Sequence, residues 1–261
     1  MLSLALLGHP VAHSRSPEVH AAFGRQFGIA LHYALIDVAD DAFETALAAF
    51  IAAGGRGINV TLPFKQRALA AATRLTARAA TAGAVNTLKV EDDGSISGDN
   101  TDGAGLLRDL QHNHGVVLRG TAVTLLGAAG AARGALGALL EAGAMVRVAD
   151  RDAARRAAVA RDFPAAKVGD YPALGAAPAA LMINATSASQ QRELPPLPAG
   201  ALAPGGIAYD IGYADPPTVF QRWAQAQGAV RALNGWGMMV EQAAAGFEFW
   251  TGKHPETRGL L

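Results

Sequence analysis

Apolar residues along this chain come in short blocks that stop abruptly at polar or glycine-rich segments. Leu2 to Leu7 is such a block, ended by Gly8, and it reads as a buried strand. Ser16-Pro17-Glu18 predicts a helix start, with Ser at the N-cap and Pro at the first helical position. Val19, Ala22, Phe23 and Phe27 form its apolar face and Gly28 its stop. Leu31 to Ile36 is a second strand. A helix from about Ala42 turns Phe43, Leu47, Phe50 and Ile51 inward. Gly57 to Val60 is a third strand, and Pro63 opens another helix. Val85 to Val90 and Ser95 to Ser97 predict a hairpin around Asp93-Gly94, a strong turn dipeptide. A further helix starts just after Asp102-Gly103.

The second half changes character. Thr121 to Leu126 is an apolar β run leading into Gly127-Ala128-Ala129-Gly130 and a small-residue helix to about Glu141. Ala144 to Ala149 is the next strand and ends at Asp150-Arg151. Leu181 to Asn184 and Ile207 to Ile211 continue the pattern, and a long helix runs from near Gly235 to about Trp250. Strands alternating with helices imply parallel sheets with right-handed crossovers. The expected fold is α/β in two domains with a cleft between them, each with a mainly parallel sheet. Residues 1–101, completed by 237–261, form the first; 102–236 form a Rossmann-like second.

Composition narrows the functional classes. Hydrophobic residues make up 51% of 261 and charged residues 17%, enough for real cores. Lys+Arg and Asp+Glu both count 22, so no global field attracts nucleic acid or an anionic membrane. There is no cysteine, which excludes disulfides, thiolate nucleophiles and Cys-based metal sites. The first apolar run is too short for a signal peptide or a membrane span.

Chemistry gathers where strands end. The Gly127 turn lies between a strand and a helix, and a helix N-terminus offers free N–H groups and a positive dipole end to a pyrophosphate. Asp150 follows about twenty residues on, where an acid accepts hydrogen bonds from ribose hydroxyls and disfavours a 2′-phosphate. Arg151 and Arg155 pull the other way, since a guanidinium holds a phosphate bidentately, although both also read as an ordinary solvated helix face, the better reading for Arg155 taken alone. The choice between NAD and NADP stays open on these residues. Four polar segments stand out: Ser14-Arg15-Ser16, Asn59-Val60-Thr61-Leu62-Pro63-Phe64-Lys65, Gly83-Ala84-Val85-Asn86-Thr87 and Gly98-Asp99-Asn100-Thr101-Asp102-Gly103. Ligands of open α/β sheets bind beyond the carboxyl ends of strands. Taken singly, each segment also has an ordinary reading as a cap, a turn or a surface lysine.

In order, with the Gly127 loop, Asn184-Ala185-Thr186-Ser187, Tyr209-Asp210 with Tyr213, and the run from Asn234 to Ala244, these segments closely resemble the shikimate dehydrogenase family over nearly the whole chain. The resemblance implies a substrate-binding domain and a dinucleotide-binding domain. It implies reversible NADP(H)-dependent reduction of 3-dehydroshikimate to shikimate, in the chorismate route to aromatic amino acids. Ser14, Ser16 and Tyr213 would hold the substrate carboxylate. Lys65 and Asp102 would form the catalytic pair, with Asn59, Thr61, Asn86 and Gln242 on substrate hydroxyls or supporting that pair. Gly127, Ala128, Gly130 and Ala131 would line the pyrophosphate, Asp150 and Arg151 the adenosine end, and Asn184, Thr186, Gly237 and Met238 the nicotinamide side. The implied protein is a cytoplasmic oxidoreductase, monomeric or homodimeric, acting on a small molecule with NADP and no metal, nucleic acid or membrane.

Departures from the family pattern are Ala129, where Gly is common, and Asp150-Arg151-Asp152, where NADP-using members commonly show Asn-Arg-Thr. Trp236 and Gly212 are also atypical. Two rival readings follow: a shikimate/quinate paralogue preferring NAD, motivated by Asp150, and a non-catalytic metabolite-sensing module on the same fold. His112 and His114 read as a solvated helix end, and His13 as structural support. Trp223, Phe247, Phe249 and Trp250 read as helix core.

Overall fold

The chain was analysed as a computed structural model, in which residues 1–189 and 191–261 are described. It divides into two compact units, Met1–Gly105 with Met239–Leu261, and Leu106–Met238. Both divisions fall inside helices whose first residues lie at or next to the boundaries expected from sequence.

In the first unit the elements run β1 (Leu2–Gly8), α1 (Ser16–Gln26), β2 (Leu31–Asp37), α2 (Phe43–Ala52), β3 (Gly57–Val60), α3 (Lys65–Ala71), β4 (Arg74–Leu75), α4 (Ala77–Ala82), β5 (Thr87–Val90), β6 (Ile96–Asp99) and α5 (Asp102–Arg108). The sheet order is β2-β1-β3-β5-β6-β4. β1 pairs in parallel with β2 and β3, while β3–β5 and the β5–β6 hairpin are antiparallel. Gly94 turns that hairpin at φ 80°, a conformation glycine adopts without penalty. β1 and β3 are near-continuous apolar runs, as central parallel strands require, and Ala5, Leu7, Ile58 and Val60 anchor a core shared with Phe43, Phe64 and Leu88.

Two local expectations need correction. Ser16 does not cap α1: it is the first helical residue, the cap position is Arg15, which makes no side-chain cap bond, and the Ser16 N–H donates instead to Ser14 Oγ at 3.3 Å. The inward face of α1 is Ser16, Val19, His20, Phe23 and Gly24, with Ala22 and Phe27 only half-buried. The i, i+4 spacing places His20 one turn beyond Ser16 on the same face.

The second unit begins where α5 runs on into one π-helical turn, Asp109–Asn113. There follow β7 (Ala122–Leu126), α6 (Gly130–Glu141), β8 (Met145–Ala149), α7 (Ala153–Asp162), β9 (Lys167–Gly169), β10 (Ala179–Asn184), β11 (Leu202–Asp210), α8 (Val219–Ala226), β12 (Arg231–Leu233) and α9 (Trp236–Thr251). All its strand pairs are parallel, in the order β12-β11-β10-β7-β8-β9. Counted from β7, this is the 3-2-1-4-5-6 order of the doubly wound Rossmann fold, whose strand order reverses between the first and fourth strands. Here that switch point lies between β7 and β10. The last part of α9 returns to the first unit, where Val240, Ala243, Ala244, Phe247 and Trp250 are buried at helical spacing. The Trp250 indole N–H donates to the Leu88 carbonyl at 2.9 Å, tying α9 to β5.

Candidate active site

In the first unit, the strand ends assemble a buried polar cluster. Lys65 is the first residue of α3 and Asp102 the first of α5. Their side chains meet with Lys65 Nζ donating to Asp102 Oδ2 at 2.6 Å, at 10% and 8% side-chain exposure. A charge pair this dry is held only where further hydrogen bonds satisfy its remaining atoms. Asn86 supplies one: its Nδ2 donates to Asp102 Oδ1 at 2.8 Å and to Thr101 Oγ1 at 3.0 Å. The Asn86 Oδ1 accepts from the Thr101 N–H at 2.9 Å and the Thr87 hydroxyl at 2.9 Å, so this amide has one orientation. Thr101, absent from the expected site residues, is fully buried and donates to Gln242 Oε1 at 3.3 Å, which brings α9 into the cluster.

Asn59, buried in β3, donates to Thr87 Oγ1 at 3.1 Å and accepts from the Tyr33 phenol at 2.7 Å. Thr61 follows β3 with its N–H bonded to the Leu7 carbonyl. Ser14 donates to the Ser16 hydroxyl at 3.0 Å. Lys65, Asp102, Asn59, Asn86, Gln242 and the Ser14/Ser16 pair therefore all belong to the first unit. Tyr213 belongs to the second, where its ring meets Trp236 edge-on at 5.5 Å. His13, read as structural support, is exposed.

In the second unit, β7 ends at Gly127, whose φ is 102°. A Cβ there would stand 3.0 Å from the Ala185 carbonyl oxygen, so the turn requires glycine on both counts. Gly130 and Ala131 open α6 and leave first-turn N–H groups facing out of the helix end. The Ala128 N–H is engaged within the protein: it donates to Asp150 Oδ2 at 2.9 Å, and Asp150 Oδ1 accepts the Asp152 N–H at 2.8 Å. Asp150 is 5% exposed. Each of its oxygens thus takes one backbone N–H, pinning the first turn to the second. Arg151 and Arg155 are exposed at the start of α7.

Asn184 ends β10 in full burial. Its Oδ1 accepts from the Thr186 N–H and hydroxyl, and its Nδ2 donates to Ser189 and to Asp210 Oδ1 at 3.2 Å. Burial raises the Asp210 carboxyl above its usual range, while hydrogen bonds from Ser189, Thr218, Gly212 and Asn184 oppose the shift. Gly237, in the first turn of α9, sits against a carboxylate: a Cβ there would fall 2.0 Å from Asp109 Oδ1. Asp109 also accepts the Tyr209 phenol at 2.6 Å, and burial followed by that neighbouring charge holds the phenol protonated. Met238, expected along the nicotinamide side, is 6% exposed within the apolar core of this unit.

The parallel sheet, its strand order and the glycine turn at the switch point define a two-domain α/β protein whose second domain is a Rossmann fold. Comparison with known proteins makes this specific. The family model described as "Shikimate dehydrogenase substrate binding domain" matches residues 6–88, and "Shikimate 5'-dehydrogenase C-terminal domain" matches residues 235–259. Shikimate dehydrogenase (NADP(+)) of Halorhodospira halophila is 48% identical, covering 98% of this chain and 96% of its own. The crystal structure of an Ael1 enzyme from Pseudomonas putida superposes at TM-score 0.89 with 42% identity, covering 100% and 97%. Shikimate 5-dehydrogenase of Thermus thermophilus, in complex with NADP(H) and shikimate, gives 0.88 with 37% identity, covering 100% and 97%. The chain belongs to the shikimate dehydrogenase family.

Proposed function

We propose that this protein is an NADP-dependent shikimate dehydrogenase, reversibly reducing 3-dehydroshikimate to shikimate on the chorismate route to aromatic amino acids. The observation that carries the reading is the buried 2.6 Å Lys65–Asp102 pair, set at two helix starts in a family member. Ser14 and Ser16 hold the substrate carboxylate. Asn59, Thr61, Asn86 and Gln242 hold ring hydroxyls or the pair itself.

Reduction of a ketone leaves negative charge on oxygen. The Lys65 ammonium stabilises that charge and delivers the proton. Asp102 holds the ammonium aimed, and Asn86 prevents the carboxylate from turning away. In the reverse direction the pair takes the alcohol proton as a unit.

The second unit fits a dinucleotide. Its glycine turn would be closed by any side chain at 127, and the start of α6 presents N–H groups to a pyrophosphate. Bound there, the cofactor supplies the hydride. With Asp150 turned inward onto Ala128 and Asp152, the groups left at the adenosine end are the exposed Arg151 and Arg155, which suit a 2′-phosphate. NADP is therefore the preferred cofactor. No helix among the described residues is long and apolar enough to cross a membrane; we place the enzyme in the cytoplasm, as a monomer or homodimer, with small molecules and no nucleic acid as partners.

The test is a two-by-two assay, shikimate or quinate with NADP or NAD, read as cofactor reduction. The largest kcat/KM falls to shikimate with NADP. Cofactor reduction in none of the four, at millimolar substrate, would sink the reading.

A further inference from the structure

The cluster around Asp102 does not stop at the residues assigned above. Followed outward, it is a single chain of hydrogen bonds in which every donor from Tyr33 to Asn86 points towards Asp102. The Tyr33 phenol donates to Asn59 Oδ1 at 2.7 Å. Asn59 Nδ2 donates to Thr87 Oγ1 at 3.1 Å, and Thr87 Oγ1 to Asn86 Oδ1 at 2.9 Å. Asn86 Nδ2 donates to Asp102 Oδ1 at 2.8 Å, and the other carboxylate oxygen takes the Lys65 ammonium at 2.6 Å. Asn59 and Thr87 are buried on β3 and β5, paired opposite one another in register.

Direction matters here because two links are amides and one is a hydroxyl. An amide can flip and a hydroxyl can rotate, so each link is held by its several neighbours: Asn86 by the Thr101 N–H on its Oδ1, and Asn59 by Thr87 and the Asn86 carbonyl on its Nδ2 and the Tyr33 phenol on its Oδ1. The chain begins at the Tyr33 phenol, whose O–H donates to Asn59. Burial keeps the Tyr33 phenol protonated, and its ring stacks at 4.7 Å and 10° on His20, itself fully buried. Tyr33 is 8% exposed.

Taking the dehydrogenase reading as its ground, we propose that Tyr33 is a positioning residue for the Lys65–Asp102 pair, acting through Asn59, Thr87 and Asn86. Its hydroxyl holds the Asn59 amide against Thr87, and Thr87 in turn holds Asn86 Oδ1 beside the Thr101 N–H, so that Asn86 Nδ2 stays on the carboxylate. It touches no reacting atom.

The test is Tyr33→Phe, which keeps the ring and its stack and removes only the donor. Expected is a fall in kcat of about tenfold, the scale of a buried acceptor left unsatisfied, with KM for shikimate and for NADP unchanged. Thr87→Val, nearly isosteric, breaks the same line further along and lowers kcat likewise. Independently of turnover, the side-chain amide NMR signals of Asn86 shift in Tyr33→Phe. A wild-type kcat, a kcat loss matched by a loss of folded protein in thermal melts, or an unmoved Asn86 amide would each overturn the proposal. Should the wild-type protein fail to oxidise shikimate, the dehydrogenase reading falls, and the Asn86 amide alone then decides whether the line is coupled.

Discussion

The two polar centres of this protein are built by opposite means. Around Lys65 and Asp102, side chains bond side chains, and Asn59, Thr87, Asn86 and Thr101 hold one another at fixed angles. Around Gly127, the side chain that holds the turn bonds backbone: Asp150 takes two N–H groups from two turns, and Asn184 takes the N–H of Thr186 beside its side-chain partners. The first arrangement fixes functional groups to within the angle of a hydrogen bond. The second fixes the path of the chain and leaves backbone N–H groups to meet a ligand. Substitutions should therefore act on chemistry in the first unit and on cofactor affinity in the second.

The largest expected effect breaks the first centre. Lys65→Met should lower kcat about a thousandfold, within the range for a lost general acid, with NADP binding by fluorescence titration unchanged. Equal loss of NADP affinity would erase the contrast between the units.

Breaking the second centre should give the converse. Gly127→Ala forces a Cβ at φ 102° within 3.0 Å of the Ala185 carbonyl. Strain of this kind costs roughly 1–3 kcal/mol, and KM for NADP should rise about tenfold, equivalent to roughly 1.4 kcal/mol. Saturating NADP should restore most of kcat. A kcat defect that survives saturation would mean the turn orients the reaction rather than only holding the cofactor.

The smallest effect concerns what supports the first centre. Burial pushes the His20 pKa down to about 3 from an ordinary value of 6.5. As pH falls through that window the unfolded chain takes up a proton that the folded protein refuses, so stability falls. Unfolding free energies from urea titrations between pH 6.5 and 5 should decline by roughly 1.5 kcal/mol, and His20→Leu should flatten that slope. An unchanged slope would show that His20 titrates in the folded state.

The sequence exposed one centre better than the other. Short apolar runs ending in Gly8, Thr61 and Gly127 revealed the strands and the polar segments beyond them, since a central parallel strand is apolar on both faces. The hairpin at Asp93-Gly94 and the helix after Gly130 were legible for similar local reasons. Asp150 was not, because its role depends on a contact with Ala128, 22 residues away, that spacing alone cannot reveal. Tyr33 was missed although β2 alternates around it: a polar-tipped residue at an inward position was the available signal. β4 and α4 escaped notice because the Ala77–Ala82 stretch has no apolar contrast. Their markers were the flanks, Thr76 capping the helix and Gly83 ending it at φ 61°. α8 carried a capping box in Thr218 and Gln221, readable at its Thr-x-x-Gln spacing.

The central claim is that Lys65 and Asp102 work as one unit on shikimate. It is tested most directly by comparing kcat for Lys65→Met, Asp102→Asn and the double variant, with shikimate and NADP both saturating. Groups that act together are non-additive, so the double variant should lose no more than the worse single one. Losses that multiply would show two independent contributions and contradict the account.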